Sequence, residues 1–398
     1  MTQWYSLSCQ YYNIMKALRK YLDQIKPNFQ PGGKFQAFGS VYEGFESFLF
    51  VPNDTAKSGA HIHDAIDSKR VISFVIIALL PALLFGMYNI GYQNALYAGA
   101  LETTSAVEMF LYGFLQMLPK ILVSYIVGLA IEFAWAQWKH HDIHEGYLAT
   151  GILIPMVLPV NCPLWCLAIA CAFSVIFCKE IFGGTGMNFV NPALAARAFL
   201  FFSYPTVMSG ENCWVAKDTI FGLGHNIADG TTAATPLGII SQNPDYSVDT
   251  MNAFIGLIPG SMGETSFIAI ALGAVILLFT GVASWKIMLS VFVGGGLTAA
   301  LFNSLGLSPL TACQQFVLGG FAFGAVFMAT DPVTAARTET GKWIYGFLIG
   351  VVTVMVRVMN PGYPEGMMLA ILLMNGCAPL IDWCVVQRNI SRRMKRVK

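Results

Sequence analysis

Ten long apolar runs decide what this chain can fold into. They are Val71–Tyr88, Leu118–Trp138, Gly146–Val160, Leu164–Phe182, Val190–Met208, Thr265–Ala283, Trp285–Leu305, Gln314–Thr330, Lys342–Met359 and Gly366–Val386. About 20 apolar residues in a helix cross the hydrocarbon core of a bilayer, so each run reads as a membrane span. The runs are continuous rather than alternating, which selects helices over a closed barrel. Composition agrees: 11% of the 398 residues are charged, against about 25% in an ordinary soluble domain. Such a chain asks for lipid as its solvent. Its net charge is +1 and its one basic cluster lies in the last few residues, so nothing points to nucleic acid as a partner.

The expected fold is an all-α polytopic bundle of two five-span halves. Residues 1–70 form a cytoplasmic N-terminal segment, 71–208 the first half, 209–264 an extracytoplasmic loop, 265–386 the second half and 387–398 a basic tail. With the N-terminus inside, Lys69, Arg70, Lys139, Lys179, Lys286, Arg337, Lys342 and the tail all fall on the cytoplasmic side. Only Lys120, Lys217 and Arg357 lie outside, while Arg197 falls within a span, and this bias sets the orientation. Both termini are then cytoplasmic. Met1 to Gln24 lacks an uninterrupted apolar core, so no cleaved signal peptide is expected and Val71–Tyr88 acts as the first anchor. Met15, followed by Lys16, Arg19 and Lys20, is an alternative start.

Residues Asn94–Gln116, interrupted by Glu102 and Glu108, read as an outer loop with an interfacial helix. An odd number of spans per half inverts the second half relative to the first, an arrangement that recurs in transporters with broken helices. Pro155 and Pro159 in the third run, and Gly376 and Pro379 in the tenth, read as the interruptions. Asn191-Pro192-x-x-Ala195-Ala196-Arg197 is echoed by Asp331-Pro332-x-x-Ala335-Ala336-Arg337. The copies fall on the fifth and eighth spans, which an inverted repeat does not equate, so the echo reads as shared helix-entry chemistry or coincidence.

Intramembrane acids are costly and serve function by default. Glu132, Asp331 and Asp382 are the candidates for ion coupling. Their structural alternatives are pairing with Arg197 or a backbone amide and, for Asp331 before Pro332, a turn or helix cap. Glu145 and Glu180 border the cytoplasmic side, and Glu43 reads as a solvated N-terminal residue. The nine cysteines contain no C-x-x-C pair, and most behave as small hydrophobes within apolar runs. No metal site held by this chain alone is expected. Gly183-Gly184-Thr185-Gly186 reads as a re-entrant turn, a helix cap, or a close backbone approach for a ligand or neighbouring subunit. It has no Walker lysine and follows no strand, which argues against a nucleotide loop.

Between the halves lies Asp229-Gly230-Thr231-Thr232-Ala233-Ala234-Thr235, a small polar loop with accessible alcohols. Asp229-Gly230 also reads as a plain turn. The segment resembles D-G-x-[ST]-x-A-T, the signature at which bacterial flavin transferases attach FMN to threonine through a phosphoester. Further segments are Lys179-Glu180-Ile181-Phe182-Gly183-Gly184-Thr185-Gly186-Met187-Asn188-Phe189, Arg197-Ala198-Phe199-Leu200-Phe201-Phe202, Gly319-Gly320-Phe321-Ala322-Phe323-Gly324, Ala329-Thr330-Asp331-Pro332-Val333 and Asn360-Pro361-x-Tyr363-Pro364-Glu365-Gly366. Together they resemble the NqrB/RnfD family, shared by the Na+-translocating NADH:quinone oxidoreductase and the Rnf complex, from about Phe29 to the tail. The hydrophilic N-terminal segment, with Pro31-Gly32-Gly33-Lys34, favours the quinone-reductase branch.

That resemblance implies a urea-transporter-like bundle in the bacterial inner membrane. It carries covalent FMN on Thr235, non-covalent riboflavin and Na+ as the transported ion, and delivers electrons to quinone near the cytoplasmic face. It implies five companion Nqr subunits (A, C, D, E and F), one of which binds NADH, and a flavin transferase for maturation. Ala233 stands where many relatives have glycine, so Thr231 and Thr232 are the fallback alcohols. Ile126-Val127-Gly128-Leu129-Ala130 matches a family segment in which two adjacent glycines lie near the quinone pocket. Gly128 is kept and Leu129 replaces the second, so Gly128 marks either the quinone region or close helix packing. The alternatives are the RnfD type, working between ferredoxin and NAD, and a solute channel or transporter of the same bundle shape.

Overall fold

The computed structural model describes residues 68–139, 146–228, 233–360 and 362–397, with short pieces between 16 and 60. Glu43, Glu145, Asp229, Gly230, Thr231 and Thr232 lie outside the described residues. Among those described the regular structure is helical, with one isolated bridge between Ile220 and Leu223. In the N-terminal pieces, Glu46 meets Arg19 at 2.9 Å and Lys26 at 3.0 Å.

The helices are α1 (Ser68–Tyr97), α2 (Ala106–Lys139), α3 (Tyr147–Met156), α4 (Leu164–Cys178), α5 (Pro192–Ser203), α6 (Pro236–Gln242), α7 (Thr250–Ile255), α8 (Phe267–Phe279), α9 (Trp285–Ser304), α10 (Ala312–Val317), α11 (Glu339–Met359) and α12 (Met367–Val397). Six are long and apolar enough to cross a membrane: α1, α2, α4 extended to Phe182, α9, α11 and α12. Helices α3, α5 and α8 are shorter apolar elements. The chain is therefore an all-α, multi-pass membrane protein. Large apolar side chains such as Leu84, Ile126, Val275 and Leu297 face outward on these helices, as lipid contact requires.

Glycine makes the close helix crossings of the bundle. A methyl on Gly113 of α2 would sit 1.8 Å from the Met87 carbonyl oxygen of α1, and one on Gly91 2.0 Å from that of Met109. Where α9 crosses α11, methyls on Gly294 and Gly350 would each come within 2.2 Å of a carbonyl oxygen of the other helix. In lipid, where apolar burial gives no drive for helix association, such backbone contact supplies the packing. Helix α8 rests on α1, while α12 packs on α11 and α5.

Four sequence expectations change. The stretch 94–116 is not an outer loop with an interfacial helix: only 98–105 is irregular, and α2 begins at Ala106 and runs on past Pro119. Its mixed polarity has a cause, because Asn94 and Tyr112 are buried and bond to the backbone of residues 216, 218 and 225. Gly376 and Pro379 do not interrupt the tenth run, which is continuous in α12 and extends through the basic tail to Val397. The interruption lies instead in the eighth run. Helix α10 stops at Val317, Leu318 is extended, Gly319 takes φ +62°, and Phe321–Met328 resumes as a short turn that relaxes into π-helix. Finally, Arg357 and Lys120 are buried rather than displayed at the outer surface.

Arg357 explains how the eighth run breaks without leaving carbonyls bare. Its guanidinium donates to the backbone oxygens of Gln315 at 2.6 Å, Leu318 at 2.9 Å and Glu365 at 3.0 Å. A broken helix in lipid needs such replacement donors. Lys120 does the same service for the Val160 carbonyl, where the chain leaves α3.

Candidate functional site

Two clefts lie along α5: Arg197 and Phe201 in its later turns line the first, and Asn191 and Pro192 at its start line the second.

The first cleft has a volume of about 230 Å³ and includes Thr235, Arg197, Trp214, Phe201, Tyr363 and Glu365 in its wall. Thr235 is the N-cap of α6, with extended backbone and Pro236 in the first helical position. Its Oγ1 accepts a hydrogen bond from the Gly238 N–H at 3.2 Å, leaving the hydroxyl hydrogen outside that bond. The residue is half-buried in that wall. The Tyr363 hydroxyl, in the same wall, is buried without a hydrogen-bond partner. An aromatic wall and an unspent hydroxyl suit a planar ligand.

Behind this cleft sits a buried charge cluster. Arg197 donates to Glu264 at 2.7 Å, with both side chains about 6% exposed. Glu365 accepts from the Gly320 N–H at 3.0 Å. Burial pushes the Glu264 carboxyl upward, and the Arg197 charge pulls it back. The two glycines of the eighth-run break admit these acids: a methyl on Gly319 would lie 2.6 Å from Glu365 Oε2, and one on Gly320 2.8 Å from Glu264 Oε1.

The second cleft, of about 480 Å³, brings the two echoed motifs together. Asn191-Pro192 and Asp331-Pro332 both line it, with Lys179, Thr185 and Asn188. Asn191 caps α5, accepting from the N–H groups of Ala193 and Leu194. Asp331 accepts from the Val333 N–H at 3.1 Å and the Thr334 hydroxyl at 3.0 Å, the turn cap that Asp before Pro suggests. Thr185 Oγ1 and Asn188 Oδ1 are shielded here without hydrogen-bond partners. The glycine-rich segment before them is a tight left-handed turn, with Gly183, Gly184 and Gly186 all at positive φ.

The remaining expected residues distribute as follows. Glu132 forms a buried ion pair with Lys179, not with Arg197, and so stands one residue behind the second cleft. Asp382 accepts from the N–H groups of Arg337 and Thr338 at 2.8 and 3.0 Å and from the Thr338 hydroxyl at 2.6 Å, tying α12 to the start of α11. Gly128 is a packing glycine, since a methyl there would meet the Tyr147 ring at 1.9 Å. Sequence reading missed Glu264, Glu365 and the buried role of Arg357. Glu365 falls within the Asn360 to Gly366 motif, and a lone acid beside an arginine-bearing apolar run was the available signal.

A model of the NQR2, RnfD, RnfE family matches residues 55–391. The NqrB protein of Chromohalobacter salexigens, named for the Na(+)-translocating NADH-quinone reductase, is 45% identical over 95% of this chain and 96% of its own. The NqrB proteins of Azotobacter vinelandii and Stutzerimonas stutzeri are 43% and 42% identical, each over 95% of this chain and 99% of theirs. By the extent of these matches, the chain belongs to the NQR2, RnfD, RnfE family.

Proposed function

We propose that this chain is the membrane redox subunit of a sodium-pumping NADH:quinone oxidoreductase, passing electrons from FMN bonded to Thr235, through riboflavin, to quinone in step with Na+ export. The setting of Thr235 carries the reading. Its alcohol stands in the wall of a cleft that offers Trp214 and Phe201 for a ring face and the unpartnered Tyr363 hydroxyl for a hydrogen bond. A phosphoester at Oγ1 would hold the cofactor with no entropy left to lose on each turnover. Bound flavin supplies electron-transfer chemistry, and this chain sets its potential through the hydrogen bonds and charges around it.

The second cleft suits the non-covalent riboflavin. Thr185 and Asn188 offer unspent hydrogen-bonding atoms there, and Asp331 and Lys179 supply the charge at its edge. Quinone falls to the neighbourhood of Gly128, whose partner Tyr147 follows directly on the cleft-lining Gly146. Among the acids expected to couple ion movement, Asp331 borders this cleft and Glu132 reaches it through Lys179, while Asp382 acts by holding the 337–338 backbone. NADH binds elsewhere, on one of the five companion subunits.

In this reading the four short or broken elements, α3, α5, α8 and α10 with the turn after it, complete ten spans in two inverted halves of a urea-transporter-like bundle. The chain sits in a bacterial inner membrane with both termini cytoplasmic, so the Thr235 cleft opens outside, where an exported flavin transferase reaches it. The test is Thr235→Ala in the assembled complex. Na+-stimulated quinone reduction by NADH should be lost while NADH oxidation by a soluble acceptor persists. Quinone reduction at the wild-type rate would overturn the proposal.

A further inference from the structure

We infer that a Na+ site lies beside Thr235, in the small cavity where Glu264 and Glu365 meet the break of the eighth apolar run. The inference rests on the sodium-pump reading and adds a place where the cargo ion dwells. The cavity measures about 20 Å³, room for a single water-sized occupant, which needs about 10–15 Å³ by the same kind of measure. Glu264, Glu365, Ser261 and Thr265 line it, together with Gly319 and Thr235.

One side chain in that wall points to a ligand independently of the acids. Whereas Ser261 lies against the Glu264 carboxylate, Thr265 is 5% exposed, and its hydroxyl is buried with no hydrogen-bond partner. Leaving such an oxygen unmet costs about 1–3 kcal/mol, a cost that a bound ion removes. Each carboxylate also keeps one oxygen outside the bonds already described, since Glu264 Oε1 serves Arg197 and Glu365 Oε2 serves Gly320.

Hydroxyl and carboxylate oxygens together form a hard donor set, which suits a non-transition cation and repels anions. Charge then selects its valence. Arg197 pairs with Glu264, and Arg357 lies close enough to Glu365 for their charges to interact. The cluster is thus neutral before the ion enters, and a single added charge is the smallest burden that a buried site can carry. The position agrees with how cation sites are built in transporters, from unwound backbone at discontinuous helices between two halves. Here the unwound pieces are residues 256–266 and the break at Leu318–Gly320.

The experiment is 22Na+ binding to the full-length chain in detergent, with choline as the control cation. Wild type is compared with Thr265→Val, Thr265→Ser and Glu365→Gln. Every sample is also scored for helical content and for covalent flavin. Wild type should bind one ion per chain that excess choline does not displace. Thr265→Val and Glu365→Gln should weaken binding about 10-fold or more, and Thr265→Ser, which keeps the hydroxyl, should retain it. Absence of binding to wild type means that the cavity holds water only and overturns the site. So does unchanged affinity in Thr265→Val, whose near-equal volume keeps the test open should Glu365→Gln fail to fold. Intact flavin without Na+ binding sinks the site alone, whereas missing flavin sinks the redox reading on which it rests.

Discussion

The two clefts place their buried charge differently. Around Thr235, Glu264 is met by Arg197 and the carbonyls freed at the eighth-run break by Arg357, while the Tyr363 hydroxyl is left unmet. Around Asp331, the ion pair between Glu132 and Lys179 has its lysine in the wall and its acid behind, and Thr185 and Asn188 are left unmet. A braced charge cluster fixes backbone and suits a tethered group whose position must not vary. A roomier wall with unmet polar atoms suits a ligand that arrives and supplies the missing bonds. The same lipid-embedded bundle thus offers one station braced by charge and one completed by its occupant.

Substitutions can break or sharpen that contrast. Arg197→Met should have the largest effect, because it strands the buried Glu264 carboxylate; removing one partner of a buried pair costs about 3–5 kcal/mol. Thermal unfolding in detergent should show the loss in flavin-free and flavin-loaded protein alike, and an unchanged midpoint would mean that the cluster is not structural. Thr185→Val should have a smaller effect of opposite sign. It removes an unmet hydroxyl, a burden of about 1–3 kcal/mol, so the flavin-free chain should hold or gain stability. Its non-covalent flavin content should fall. A destabilised flavin-free Thr185→Val would show that this hydroxyl is already satisfied and would erase the difference between the clefts.

Much of this was legible in the apolar runs. Helices α1, α9 and α11 are uniform enough for length and hydropathy to find them, as was the Thr235 loop by its small polar residues. Two failures share one physical cause: tertiary partners replace local ones. Asn94 looks like a loop residue, yet it is buried within α1, where it serves backbone more than 100 residues away. The eighth run looks continuous, yet Arg357 from α11 takes over its carbonyls and allows Gly319 to turn. Glu264 and Arg197 are 67 residues apart, so no local pattern links them. Asp331 before Pro332 was readable because its partners, Val333 and Thr334, lie within three residues.

The central claim is that Thr235 carries the flavin. Co-expression of the chain with a flavin transferase, followed by denaturation, in-gel flavin fluorescence and intact mass, tests it most directly. The account predicts a fluorescent wild-type band heavier by one esterified FMN, and a dark, unmodified band for Thr235→Ala. An unmodified wild-type chain in the presence of active transferase, or a fluorescent Thr235→Ala, would contradict it.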